Sequence, residues 1–303
     1  MGYLYVFLAS TFFGISPTLS TLLQNNGWSN GAVLLNNELF GALYLFFLIR
    51  HKHISFKIGR KELAAAALLC GCAFWATNVF QQISYKLLPN PGIATVLHFT
   101  YPLFVLLAMV VFFREHVTKS KILCVAVASV GIILITNMSG TSSQSNLLFL
   151  GALAAVASGA TYAVYIVSNE KSPAMTVHPL LFTFYVLIGG ALFNIVYLSF
   201  THDVYVDFGG YNVFYCIALP LCSFSGLVTI AEGIRRIGPT RAAVINMMEP
   251  VVSMIISCVV FRDEPLTGRM ICGGILILLG TGGIAMLNHT AESYDTTELD
   301  AKK

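Results

Sequence analysis

Apolar runs of about 20 residues recur along the whole chain, each closed by a short polar turn, and about 20 residues is what a helix needs to cross a hydrocarbon core. The pattern predicts ten spans. The first lies at about Gly2–Leu23, where Gly14 and Pro17 interrupt it, and the second at Gly31–Ile49. The third follows at Leu63–Tyr85, the fourth at Pro91–Phe113 and the fifth at Ser120–Thr136. A segment rich in Ser, Asn and Thr, residues 137–146, then divides the chain into two nearly equal parts. The sixth to eighth spans are expected at Leu147–Ser168, Pro179–Phe200 and Val213–Glu232, the ninth at residues 239–265, and a glycine-rich tenth at Thr267–Leu287. Residues 288–303 are polar and acidic and predict a disordered tail. No basic segment precedes the first run, which reads as an uncleaved span and not a signal peptide.

Composition fixes the class: of 303 residues, 56% are hydrophobic and 10% charged, against about 25% charged in soluble domains. The chain reads as an all-α integral membrane protein with ten transmembrane helices. All seven cysteines lie in apolar runs, as small packing residues. Charge placement adds an orientation. If the N-terminus is cytoplasmic, every Lys and Arg except Lys86, Arg262 and Arg269 falls on an inside segment, which predicts both termini inside and a multi-pass protein of the plasma membrane.

Two acids sit inside the apolar spans. Glu249 stands beside Pro250 in the ninth, and a charge at that depth costs roughly 2.5 to 3.5 kcal/mol even on insertion scales. It admits two readings: a proton or cation site that cycles between charged and protonated forms, or a protonated side chain bonded to a carbonyl that Pro250 frees. Glu38 in the second span reads as an inter-helix hydrogen bond, assisted by Asn36 or Asn37. Trp75, Asn78 and Gln82 share a stripe of the third span, and Ser158, Tyr162 and Tyr165 a stripe of the sixth.

The chain matches itself at an offset of 148. Pro91, Ala94, Val96, Pro102, Phe113 and Arg114 pair with Pro239, Ala242, Val244, Pro250, Phe261 and Arg262; after one inserted residue, Glu115, Thr118 and Gly131 pair with Glu264, Thr267 and Gly280. This is a duplication of five helices. Because five is odd, the second copy enters from the opposite face, which makes two inverted five-helix repeats, residues 1–136 and 147–287, the design of alternating-access carriers. The match superposes His98 on Asn246 and Tyr101 on Glu249. It makes the fourth and ninth spans the expected walls of a central site, with Pro17, Pro102 and Pro250 as helix kinks.

These residues carry a resemblance. The mid-helix proline, the Phe-Arg-Glu or Phe-Arg-Asp-Glu helix end, and the run from Ile237-Gly238-Pro239-Thr240-Arg241 to Met248-Glu249-Pro250-Val251 resemble the drug/metabolite transporter superfamily, specifically its ten-helix EamA-type exporters. The resemblance implies a cavity lined mainly by spans 1, 3, 4, 6, 8 and 9, and export of amino acids or small metabolites. The first copy departs from the second in having Tyr101 where the second has Glu249.

The expected function is a secondary active transporter for small polar or amphipathic metabolites, amino-acid-like, working as exporter or facilitator. Its alternatives are a proton-coupled importer of an amine or other metabolite and, further off, a non-transporting intramembrane enzyme or receptor. Hydrolytic motifs and paired intramembrane aspartates are missing from the sequence, so an enzyme is not expected. Trp75, Asn78, His98, Tyr101, Tyr162, Tyr165, Asn246 and Glu249 are the expected substrate-binding residues, with Glu249 also the coupling residue; for His98 and each aromatic, ordinary packing is the competing reading. No ATP site, metal or other cofactor is expected. The expected partners are a small-molecule substrate, the lipid bilayer and protons, with no nucleic acid, and the chain as monomer or homodimer.

Overall fold

The computed structural model describes residues 2–114, 118–136, 142–202, 204–237, 245–246, 248–261 and 267–301. Its described elements are all helical: α1 Gly2–Asn25, α2 Asn30–His51, α3 Arg60–Leu87, α4 Pro91–His98, α5 Tyr101–Phe113, α6 Lys119–Thr136, α7 Ser142–Lys171, α8 Pro179–Thr201, α9 Asn212–Ile237, α10 Met248–Val260 and α11 Gly268–Ala301. Among the described residues, seven helices are long and apolar enough to cross a membrane, and shorter apolar helices accompany them at Ile122–Leu134, Met248–Val260 and Gly268–Gly280. The matched residues Glu115, Pro239, Ala242, Val244, Arg262 and Glu264 lie outside the described residues, as do residues 137–141 of the expected linker.

Local chemistry sets the helix ends. Ser29 caps α2 by accepting from the Ala32 amide, and Asn90 caps α4 by accepting from the Gly92 amide at 2.8 Å, with Pro91 in the first turn where its missing N–H costs nothing. The predicted fourth span is not one helix. It breaks at Phe99–Thr100, because Pro102 offers no amide to the His98 carbonyl and its ring would clash there. Pro17, by contrast, sits within an unbroken α1. The stretch Ala64–Cys70 of α3 is π-helical. At the other end, α11 stays helical to Ala301 and takes in residues 288–301, where the composition predicted disorder.

The bundle turns its apolar side chains outward. Phe47, Phe112 and Phe200 are exposed, while Ser10, Thr18, Thr95, Ser158, Asn194, Ser253 and Ser257 are buried. In water this would be inside out; in lipid the outer face is solvated by acyl chains and polar groups must find partners within the bundle. Across the bundle, α1 packs on α9 and α10, and α7 packs on α3, α4 and α5. The other pairings are α2 with α8 and α9, α3 with α8, α4 with α10, and α6 with α11.

The α6–α11 pair depends on glycine. A Cβ at Gly131 would stand 2.5 Å from the Gly273 carbonyl oxygen and 2.9 Å from the Ile277 amide, and one at Gly280 2.5 Å from the Cys124 carbonyl oxygen and 2.8 Å from Ala128. Without side chains the two backbones touch directly, which is how helices gain dispersion contact in a solvent as apolar as they are. Gly131→Val therefore destabilises by about 1–3 kcal/mol through overpacking, seen as a lower melting temperature in detergent. Gly268→Ala, with open space around the Cβ position, leaves the melting temperature unchanged.

Candidate functional site

A cavity of about 260 Å³ opens between the two parts of the chain. The α3 stripe Phe74, Asn78, Gln81, Gln82 and Tyr85 lines one side of it, the helical spacing that brings residues three and four apart onto one face. Opposite and around it lie Phe13, Ser16, Pro17 and Ser20 of α1, Asn37 of α2, Tyr162 and Tyr165 of α7, Thr183, Val186 and Leu187 of α8, Ser223 and Phe224 of α9, and Glu249 of α10. Its chemistry is one carboxyl group, several amides and hydroxyls, and aromatic faces; among the lining residues there is no Lys, Arg or His.

Hydrogen bonds fix this lining. Gln82 Oε1 accepts from Ser20 Oγ at 2.6 Å and from Gln24 Nε2 at 2.7 Å, tying α1 to α3. Ser223 Oγ donates to Ser16 Oγ at 3.2 Å and ties α9 to α1. The Tyr162 and Tyr165 rings stack at 5.5 Å, with Tyr165 also 5.6 Å from Phe74. Glu249 Oε2 accepts from Asn246 Nδ2 at 3.3 Å, and Asn246 Oδ1 accepts from Ser10 Oγ at 3.2 Å. The carboxyl is thus held by a side-chain amide, itself steadied by α1.

Of the residues expected at the site, Asn78, Tyr162, Tyr165 and Glu249 line the cavity, as does Pro17. Asn246 reaches it through Glu249. His98 and Tyr101 do not line it. α7 packs across the broken fourth span and places Tyr162 in front of them, 5.2 Å from the His98 ring and 5.0 Å from the Tyr101 ring, while His98 Nδ1 pairs with Ser158 Oγ at 2.9 Å. The fourth span is therefore second to α7 as a wall, and α2 and α8, not counted among the main walls, supply Asn37, Thr183, Val186 and Leu187. Trp75 also falls outside. The stripe that faces the cavity is centred on Phe74 and Asn78, so Trp75 turns toward α8 and packs on Phe193 and Tyr197 at 6.1 and 5.9 Å.

Glu38 departs from its expectation too. It is 1% exposed, yet neither carboxyl oxygen has a hydrogen-bond partner; Asn36 donates instead to the Cys216 carbonyl at 2.8 Å, and Asn37 faces the cavity. Sequence reading missed Ser16, Ser20 and Ser223 because serine is common in spans; the one signal was Ser16 and Ser20, four apart and flanking Pro17.

Comparison with known proteins agrees with this geometry. The model of the EamA-like transporter family matches residues 1–137 and 149–286. A protein described as an uncharacterized transporter in Synechocystis sp. is 28% identical over 232 residues, 76% of this chain and 68% of the relative. Another so described, from Archaeoglobus fulgidus, is 27% identical over 194 residues, 63% of this chain and 66% of that one. The crystal structure of another protein superposes with a TM-score of 0.63 over 94% of this chain and 97% of its own, at 16% identity, a likeness of fold. With residues 1–137 and 149–286 both matched, the chain belongs to the EamA-like transporter family.

Proposed function

We propose that this protein is a secondary carrier for small polar or amphipathic solutes, amino-acid-like in size, exporting or equilibrating them across the plasma membrane by alternating access. The observation that carries this reading is the cavity: polar, aromatic, large enough for a small metabolite, and holding one carboxyl at its wall. Glu249 takes the amine of the solute or a coupling proton, Asn78, Gln81 and Gln82 meet its polar end, and the Tyr162–Tyr165 stack meets its apolar body. With no basic group in the lining, a free carboxylate on the solute meets only amides and hydroxyls. That favours the second reading, proton-coupled uptake of an amine, over transport of an anion.

Alternating access rests on ten spans arranged as two inverted five-helix repeats, residues 1–136 and 147–287, with 137–146 as linker, residues 288–303 as a cytoplasmic tail and both termini cytoplasmic. The packing supports this. Exchanging each span for its counterpart five places on turns α1 on α9 into α7 on α3, α1 on α10 into α7 on α4, and α3 on α8 into α9 on α2. The pairs α2–α8, α4–α10 and α6–α11 turn into themselves. Residues follow the same exchange: Gly131 meets Gly273 and Ile277 while Gly280 meets Cys124 and Ala128. Gly14 meets the Glu249 carbonyl, and Gly159 the His98 carbonyl and Tyr101 amide. Two equivalent halves can rock about a fixed central site and expose it to either face in turn.

Counterflow in proteoliposomes, screened over radiolabelled amino acids and amines, gives saturable exchange for a carrier; flux that rises without saturation points to a channel. In the same assay Glu249→Gln removes the pH dependence of uptake and leaves the melting temperature within the wild-type range, and an unchanged pH profile rules out the coupling role. Asn78→Ala raises the half-saturation concentration about 5- to 30-fold, the cost of one buried hydrogen bond to the solute, with little change in pH profile.

A further inference from the structure

The second buried acid lies one layer behind the cavity wall, at the junction of α2, α3 and α8. A Cβ on Gly190 of α8 would stand 2.9 Å from Glu38 Oε1 and 3.9 Å from the carbonyl oxygen of Gly71 on α3. Gly189 in turn meets the backbone of Ala67, within the π-helical stretch of α3. The three helices approach so closely here that only glycine fits, and the carboxyl of Glu38 fills the space this leaves.

Polar atoms at this junction lack partners. Both oxygens of Glu38, the Trp75 indole Nε1 and Asn194 Oδ1 are buried with no hydrogen bond. Trp75 is four residues on from Gly71 and Asn194 four on from Gly190, so both sit one helical turn from the carboxyl on the same faces. The cavity is adjacent through the chain: Asn37, Phe74, Val186 and Leu187 all line it. No Asp, Glu, Lys, Arg or His occurs in α1, in residues 63–85 of α3, in α8 or in residues 212–231 of α9. The other titratable groups on these stretches are the thiols of Cys70, Cys72, Cys216 and Cys222 and the phenols of Tyr3, Tyr5, Tyr85, Tyr185, Tyr197 and Tyr215, all neutral at physiological pH. Those stretches therefore offer the carboxyl no counter-charge.

We propose that Glu38 is a second proton-binding carboxyl of this carrier, one layer behind the substrate cavity and distinct from Glu249. A carboxylate so placed needs a positive charge to neutralise it, and a proton, which needs one oxygen, suits the site. An alkali cation needs a shell of several oxygens, whereas the acceptors this junction shows are the Gly71 carbonyl and, one turn away, Asn194 Oδ1. The adjoining π-helical turn gives α3 a way to shift register by a residue, a device found at functional sites. The use of this proton in transport rests on the carrier reading above; its binding does not.

Dicyclohexylcarbodiimide tests the site without a known solute, because it adds to protonated carboxyls in apolar surroundings. The purified full-length protein is treated in sodium-free choline buffer over a pH series, digested, and the adducts are located by mass spectrometry. Glu38 is expected to be modified at low pH, with a rate that falls roughly tenfold per pH unit once the group titrates, and to show the same profile in Glu249→Gln. Glu38→Asp is expected to keep the adduct and Glu38→Gln to lose it. Absence of an adduct at Glu38 while Glu249 reacts, or a rate that does not change with pH, overturns the proposal and leaves Glu38 a packing residue. Protection by NaCl against choline chloride overturns it in favour of sodium. Failure of Glu249 to affect transport leaves this result untouched, since the two adducts map to different peptides.

Discussion

Hydrocarbon offers no hydrogen-bond partner, and most of this structure follows from that one constraint. Backbone groups are satisfied inside helices, and polar side chains gather where other helices can answer them. The Ser20–Gln82–Gln24 set, the Ser16–Ser223 contact and the Ser10–Asn246–Glu249 chain are such answers. Because they converge on the centre of the bundle, they also build a polar cavity there. Ser16, Ser20, Gln82, Ser223 and Glu249 thus both hold helices together and line the cavity.

A second consequence concerns contact between helices. Apolar burial gives little net drive in lipid, so close backbone approach has to substitute for it. Gly131 and Gly280 between α6 and α11, and Gly71 with Gly189 and Gly190 between α3 and α8, mark the places where the chain does this. The first pair brings two backbones into direct contact. The second surrounds Glu38, so the closeness that stabilises the junction also isolates an acid.

Proline acts differently at each of its sites. Pro17 leaves α1 continuous and lines the cavity, whereas Pro102 ends one helix and starts another. The difference lies in the surroundings: the loosened carbonyl of His98 is packed against Gly159 of α7, so tertiary contact accepts a break there. Glu249 is bonded to the Asn246 side chain and stands at the cavity wall.

The sequence by itself determined the membrane class, the positions of the long apolar helices, the two acids within apolar runs and the repeated Pro-containing segments, because hydropathy and proline act locally and leave their mark on every stretch. Helical spacing pointed to Asn78, Tyr162 and Tyr165, and the internal repeat to Glu249, all four of which line the cavity. Tertiary structure decided which faces meet. A rotation of one residue puts Phe74 at the cavity and Trp75 against α8, and the crossing of α7 puts Tyr162 in front of His98 and Tyr101. The partnerless state of Glu38 was equally beyond reach, because it arises from two glycine-bearing helices closing on α2, and no spacing along one chain reports how near another helix will come.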